Sequence, residues 1–178
     1  MASLFALLSA VLLAACSAAQ GGEAATPEQT GRVRDIAGIL TREEEARLTK
    51  RLEQAQRLYG PQMGIVTVPS LDGKAIEDAS LEYARAWGLG DKRRNDGLMI
   101  MVAPNDRKVR IEVGYGLEGS FNDLFCRRAI ETTMIPHFRQ GHYNRGLAAA
   151  LDLMIGKMHD VPTLPANDNA SDSVTKAA

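Results

Sequence analysis

The side chains best placed to do chemistry are four carboxylates at points where the chain changes direction. Asp35 precedes the first helical pattern, Asp96 sits in an Asn-Asp-Gly turn, Glu118 follows a glycine turn, and Asp123 opens a later helix. Loop ends of an α/β sheet are where a ligand crevice opens. A hard divalent cation takes six to eight oxygens from carboxylates, carbonyls and water, and acidic loop ends beside glycines offer that kind of ligand. No EF-hand spacing is present. Each carboxylate also has an ordinary structural use: Asp123 as a capping-box partner, Asp96 as a turn former, Asp35 as a cap or kink, and Glu118 as an arginine's partner.

Next to Asp96 runs Lys92-Arg93-Arg94, either a solvated turn or a contact for phosphate. Arg110 and Glu112 share the polar face of a strand. They either turn together into the crevice or close as a surface ion pair worth little. Gly114 and Gly116 follow that strand directly and permit positive φ or close approach to the backbone. They come after a late strand, and no P-loop lysine follows, so they are not read as a nucleotide-binding loop. His137 and His142 lack a third donor at metal-ligand spacing and read as structural. Cys126 has no nucleophile signature around it and reads, like Trp87, as core. No Ser, Cys or Asp stands in a motif with a general base.

These residues need elements to hold them. Thr41-Arg42-Glu43-Glu44 forms a capping box, and Leu48, Leu52 and Ala55, with Leu58 or Tyr59, follow at helical spacing up to Gly60-Pro61. Met63–Val68 and Leu98–Ala103 are apolar runs that suit strands buried on both faces. Between them Ile76, Ala79, Tyr83 and Trp87 mark a second helix, which stops at Gly88. Val109, Ile111 and Val113 alternate with Arg110 and Glu112, so a short antiparallel hairpin joins this strand to the one before. Ser120 and Asp123 suggest a second capping box for a helix that Pro136 ends. A last helix presents Leu147, Leu151, Met154 or Ile155, and Met158 on one face. The order α-β-α-β-β-α-α predicts an α/β fold, a three-layer α/β/α sandwich with a small mixed sheet.

The chain has 178 residues, 45% hydrophobic and 24% charged, which excludes disorder throughout and a polytopic membrane protein. Residues 33–159 hold 19 basic and 17 acidic side chains. That balance is too near neutral to indicate a nucleic-acid partner. Every residue from Leu4 to Ala15 is apolar or small. This is shorter than the roughly 20 residues of a spanning helix and suits an export signal over 1–15. Leu13-Ala14-Ala15-Cys16 resembles a bacterial lipobox. The resemblance implies cleavage before Cys16, lipid on that residue, and a periplasmic protein anchored at the outer membrane, since Ser17 rather than Asp follows. An ordinary signal peptide cut near Ala18-Ala19 is the other reading. Residues 16–32 read as a tether and 160–178 as a disordered polar tail.

Several segments in order resemble one family. They are Val33-Arg34-Asp35-Ile36-Ala37-Gly38-Ile39-Leu40, Trp87-Gly88-Leu89-Gly90, Asn95-Asp96-Gly97-Leu98, Arg110 to Gly119, Pro136-His137-Phe138 and Gly141-His142-Tyr143 with Gly146-Leu147. This order is similar to the TPM domain of bacterial exported and thylakoid-lumen proteins, and the likeness spans residues 33–159. It implies a Rossmann-like sandwich and calcium, for which the loop-end carboxylates Asp35, Asp96, Glu118 and Asp123 are the candidate ligands. Lys92, Arg93, Arg94 and Arg110 would then contact phosphate or a partner. The resulting expectation is a membrane-tethered, non-catalytic module that binds calcium and an envelope protein. The alternative is a weak metal-dependent acid phosphatase.

Overall fold

The computed structural model describes residues 31–161, so the expected export signal, Cys16 and nearly all of the expected tether and tail lie outside them. Within them the centre is a four-stranded sheet. Strand β1 is Val33–Asp35, β2 Gln62–Thr67, β3 Gly97–Ala103 and β4 Lys108–Val113, in spatial order β1-β2-β3-β4. The first three are parallel and β4 returns antiparallel to β3. All seven residues of β3 are buried, as the unbroken apolar run requires. In β4 only Ile111 is fully buried, as its alternation requires.

Helix α1 (Arg42–Tyr59) starts at the predicted capping box: the Glu44 amide donates to Thr41 Oγ1 at 3.2 Å, and the Thr41 amide to Glu44 at 2.9 Å. At its other end Tyr59 packs on the core while Leu58 is exposed. Helix α2 (Ile76–Ala86) lies on the opposite face. A short 3-10 turn (Tyr115–Leu117) leads to α3 (Asp123–Ala129), a π turn (Ile130–Met134), α4 (Ile135–Phe138) and α5 (Tyr143–Met158). One core gathers Leu48, Leu52, Ile65, Ile100, Leu147 and Leu151 under α1, α3 and α5. The other gathers Val66, Met99 and Met101 with Ile76, Ala79 and Trp87 of the α2 side. These are the three predicted layers. Because β1, β2 and β3 lie side by side in chain order while α1 and α2 cover opposite faces, the two crossovers have opposite hand. One of them therefore departs from the usual right-handed rule.

Three local readings are corrected. The segment at Val33 forms a strand, too short at three residues to show alternation, that pairs with Ile65–Thr67. The cap of α3 is Asn122, whose side chain accepts the Phe125 amide at 3.0 Å, so Ser120 and Asp123 form no box. Pro136 does not end its helix. It lacks the N–H that would bond the carbonyl four residues back, and its ring crowds that carbonyl. The preceding turn widens instead: the Ile135 amide reaches Ile130, five residues back, and the helix continues to Phe138.

Candidate functional site

Asp96 is only 5% exposed, and its carboxylate is fully engaged. One oxygen accepts the Asp91 amide at 2.7 Å and the other accepts Arg94 Nε at 2.6 Å. Asp91 in turn accepts the amides of Arg93 and Arg94 at 2.9 and 3.0 Å. Those amides, Arg94's first, hold the Asp91 carboxyl below its ordinary value, while the hydrogen bond to Asp96 raises Arg94. The basic loop is thus folded around its own acids. Gly90, Gly97, Gly114 and Gly116 complete the closure. A Cβ on Gly116 would strike the Arg94 carbonyl oxygen, one on Gly114 that of Asn95, and one on Gly97 that of Leu89. Gly114 has φ −70°, so close approach, not positive φ, is what the Gly-Tyr-Gly turn provides. With Gly119 it stands at Gly-x-Gly-x-x-Gly spacing. Gly114 and Gly116, however, close against loop 91–97, and Gly119 has open space beside it.

Asp35 lies elsewhere. It ends β1 beside Thr67, whose hydroxyl donates to it, and its other oxygen accepts the Leu40 amide at 2.8 Å. Thr67 and Gln62 mark opposite ends of β2, and Gln62 pairs with Gly97. Asp35 and Asp96 therefore sit at opposite ends of the sheet, about 17 Å apart along the strands. The four predicted carboxylates do not form one cluster. Among the described residues, no group of three or more His, Cys, Asp or Glu is arranged to hold a metal ion. Glu118 and Asp123 are both exposed and line one groove.

The predicted phosphate contacts also separate. Arg94 is committed to Asp96. Arg110 Nε donates to Glu112 at 2.8 Å, and its guanidinium reaches Glu77 of α2 at 3.6 Å. The ion-pair reading of Arg110 and Glu112 therefore holds, with Ser80 of α2 donating to Glu112 at 2.9 Å. Lys92 and Arg93 make no ion pair among the described residues. Cys126 is a buried free thiol that donates to the Phe121 carbonyl, and burial pushes it up to about 11. At neutral pH it is protonated and a poor nucleophile.

What the sequence did not reveal is the groove itself. It runs along the outer edge of β4, about 730 Å³ in volume, between Glu77 of α2 and Asp123, Arg127 and Glu131 on the α3 side. The Gly114 amide donates to the Gly97 carbonyl at 2.8 Å. Partners alternate along an antiparallel ladder, so Lys108, Arg110 and Glu112 bond to β3. Val109, Ile111 and Val113 turn their N–H and C=O groups outward into the groove. No strand of the described residues pairs there, because β4 is the sheet edge. Glu118, Asp123 and Glu131 give the groove an acidic side with no ion-pair partner among the described residues. Tyr115 stands 83% exposed near its end.

A family model for the TPM domain matches residues 33–157. The solution NMR structure of the N-terminal domain of a protein from P. gingivalis is 37% identical. It superposes with a TM-score of 0.66 over 74% of this chain and 83% of that one. The N-terminal domain of a Corynebacterium glutamicum protein is 15% identical with a TM-score of 0.57, over 81% of this chain and 89% of that one. The BA42 protein of Bizionia argentinensis is 18% identical with a TM-score of 0.58, over 72% and 88%. The latter two likenesses concern the fold alone. No curated protein matches the chain.

Proposed function

Because the chain belongs to the TPM domain family over residues 33–157, we propose that it is a non-catalytic binding module of the cell envelope. Its protein partner lays an extended segment along β4 as a fifth strand. The observation that supports this is the row of outward backbone groups at Val109, Ile111 and Val113 between two helical walls. Strand addition takes affinity from such groups and specificity from the side chains beside them. Glu118, Asp123 and Glu131 select a segment that is basic where it crosses them. Calcium belongs to this reading at Glu118 and Asp123, with carbonyl and water oxygens completing the shell. So few carboxylates imply binding no tighter than about millimolar.

The test is amide exchange on the full-length protein with an alternating Lys–Val heptapeptide as probe. Exchange at Val109, Ile111 and Val113 should slow at least about tenfold, and a Glu–Val counterpart should leave it unchanged. Val109→Pro removes an outward N–H without touching the β3 ladder, so the fold should persist while protection is lost. Unaltered exchange at all three amides with the Lys–Val peptide sinks the proposal. In the same spectra, millimolar calcium should move resonances around Glu118 and Asp123 and spare those of Asp35 and Asp96.

A further inference from the structure

At the other end of β4, a cavity of about 520 Å³ opens where β3 turns into β4 and meets α4 and the start of α5. Its charged lining is Arg107, Lys108 and Arg139, with no carboxylate. None of the three cations makes an ion pair among the described residues. Three unpaired cations around one concavity repel each other and hold a positive field there. Its other wall is aromatic. The rings of Phe138 and Tyr143 lie 5.0 Å apart between centroids. Phe138 can pack close against α5 because residue 146 is glycine: a Cβ there would come within 2.5 Å of Phe138 Cε1. The Pro136-His137-Phe138 and Gly141-to-Gly146 segments, which the β4 groove leaves unexplained, build this wall.

Arg107 adds a separate observation. It has φ +53°, the left-handed region where glycine is at ease and a long side chain is conformationally costly. An arginine kept at the αL position of a tight hairpin, and aimed into a cavity, points to use rather than folding.

We propose that this cavity binds a small amphiphilic anion, its phosphate or carboxylate held by Arg107, Lys108 and Arg139 and its apolar body resting on Phe138 and Tyr143. The volume falls within the range for small-molecule sites, and the lining pairs an apolar wall with a few convergent polar groups. Charge sets the sign of the head, and the rings set a requirement for an apolar tail.

Hexyl phosphate titrated calorimetrically into the full-length protein carrying Cys16→Ser, at low ionic strength, is the test. It should bind at least about tenfold tighter than inorganic phosphate, the tail supplying the difference, and hexylammonium should not bind. Arg107→Gly relieves the backbone and removes a cation, so the melting temperature should hold or rise while affinity falls about tenfold. Arg139→Gln should weaken binding similarly. Equal binding of inorganic phosphate or of hexylammonium, or undiminished affinity in Arg107→Gly, overturns the assignment. Sedimentation with anionic phospholipid vesicles separates the two sources of such an anion. Cosedimentation that Arg107→Gly abolishes assigns a lipid headgroup; hexyl phosphate binding without cosedimentation assigns a free organic anion.

Discussion

At Gly116 an added methyl group would meet the Arg94 carbonyl oxygen, and that obstacle is backbone held by the Asp91–Asp96 loop. It cannot swing aside as a side chain would. Gly116→Ala should therefore lower stability by about 2–3 kcal/mol in urea unfolding. Gly119→Ala, with nothing within 4 Å of an added Cβ, should change it by no more than about 0.5 kcal/mol. The need for small residues in Gly-Tyr-Gly was legible in the sequence. What they admit was not, because spacing within one turn says nothing about a loop some twenty residues earlier. Asp96 illustrates the same limit. Its place in a turn was readable, but the donors that consume its oxygens come from Asp91 and Arg94, and only the folded loop brings them there. Asp91 itself went unnoticed, although an Asp two and three residues before backbone amides in a turn is a recognisable signal.

Helix α2 stands nearly alone on its face of the sheet. Its core contains nine buried residues against twenty on the face covered by α1, α3 and α5, so opening α2 exposes much less apolar area. Amides of α2 should exchange through a sub-global opening, at lower free energy than those of α5 or β3, when native-state exchange is followed in low denaturant. Equal protection across these three elements would contradict that asymmetry. The existence of α1, α2, α5 and the three longer strands was legible because each has a strong period or an unbroken apolar run. Strand β1 was not, since three residues carry no period and its pairing is entirely non-local. The π turn was missed for another reason: Pro136 normally forbids helix, and the accommodation lies in five residues before it. The edge status of β4 follows from strand order, which periodicity does not encode.

At the scale of the molecule, the sandwich agrees with the sequence reading, and the TPM family model matches residues 33–157. The lipobox resemblance at Leu13-Ala14-Ala15-Cys16 makes a prediction at this scale. Cys16→Ser should move the protein from the membrane to the soluble fraction on cell fractionation, and retention on the membrane would refute a lipid at that residue. The two places where the chain enters and leaves the domain have a consequence of their own. Arg32 donates to Gln56, and His159 contacts the Tyr59 ring and hydroxyl, both partners lying in the last turn of α1. Entry and exit are therefore neighbours at one end of the sandwich, while Arg107 and the turn it occupies lie at the other. A domain with adjoining ends can be spliced into a host loop or circularly permuted with little strain. Fusing or immobilising it at either terminus leaves the hairpin end turned away from the attachment.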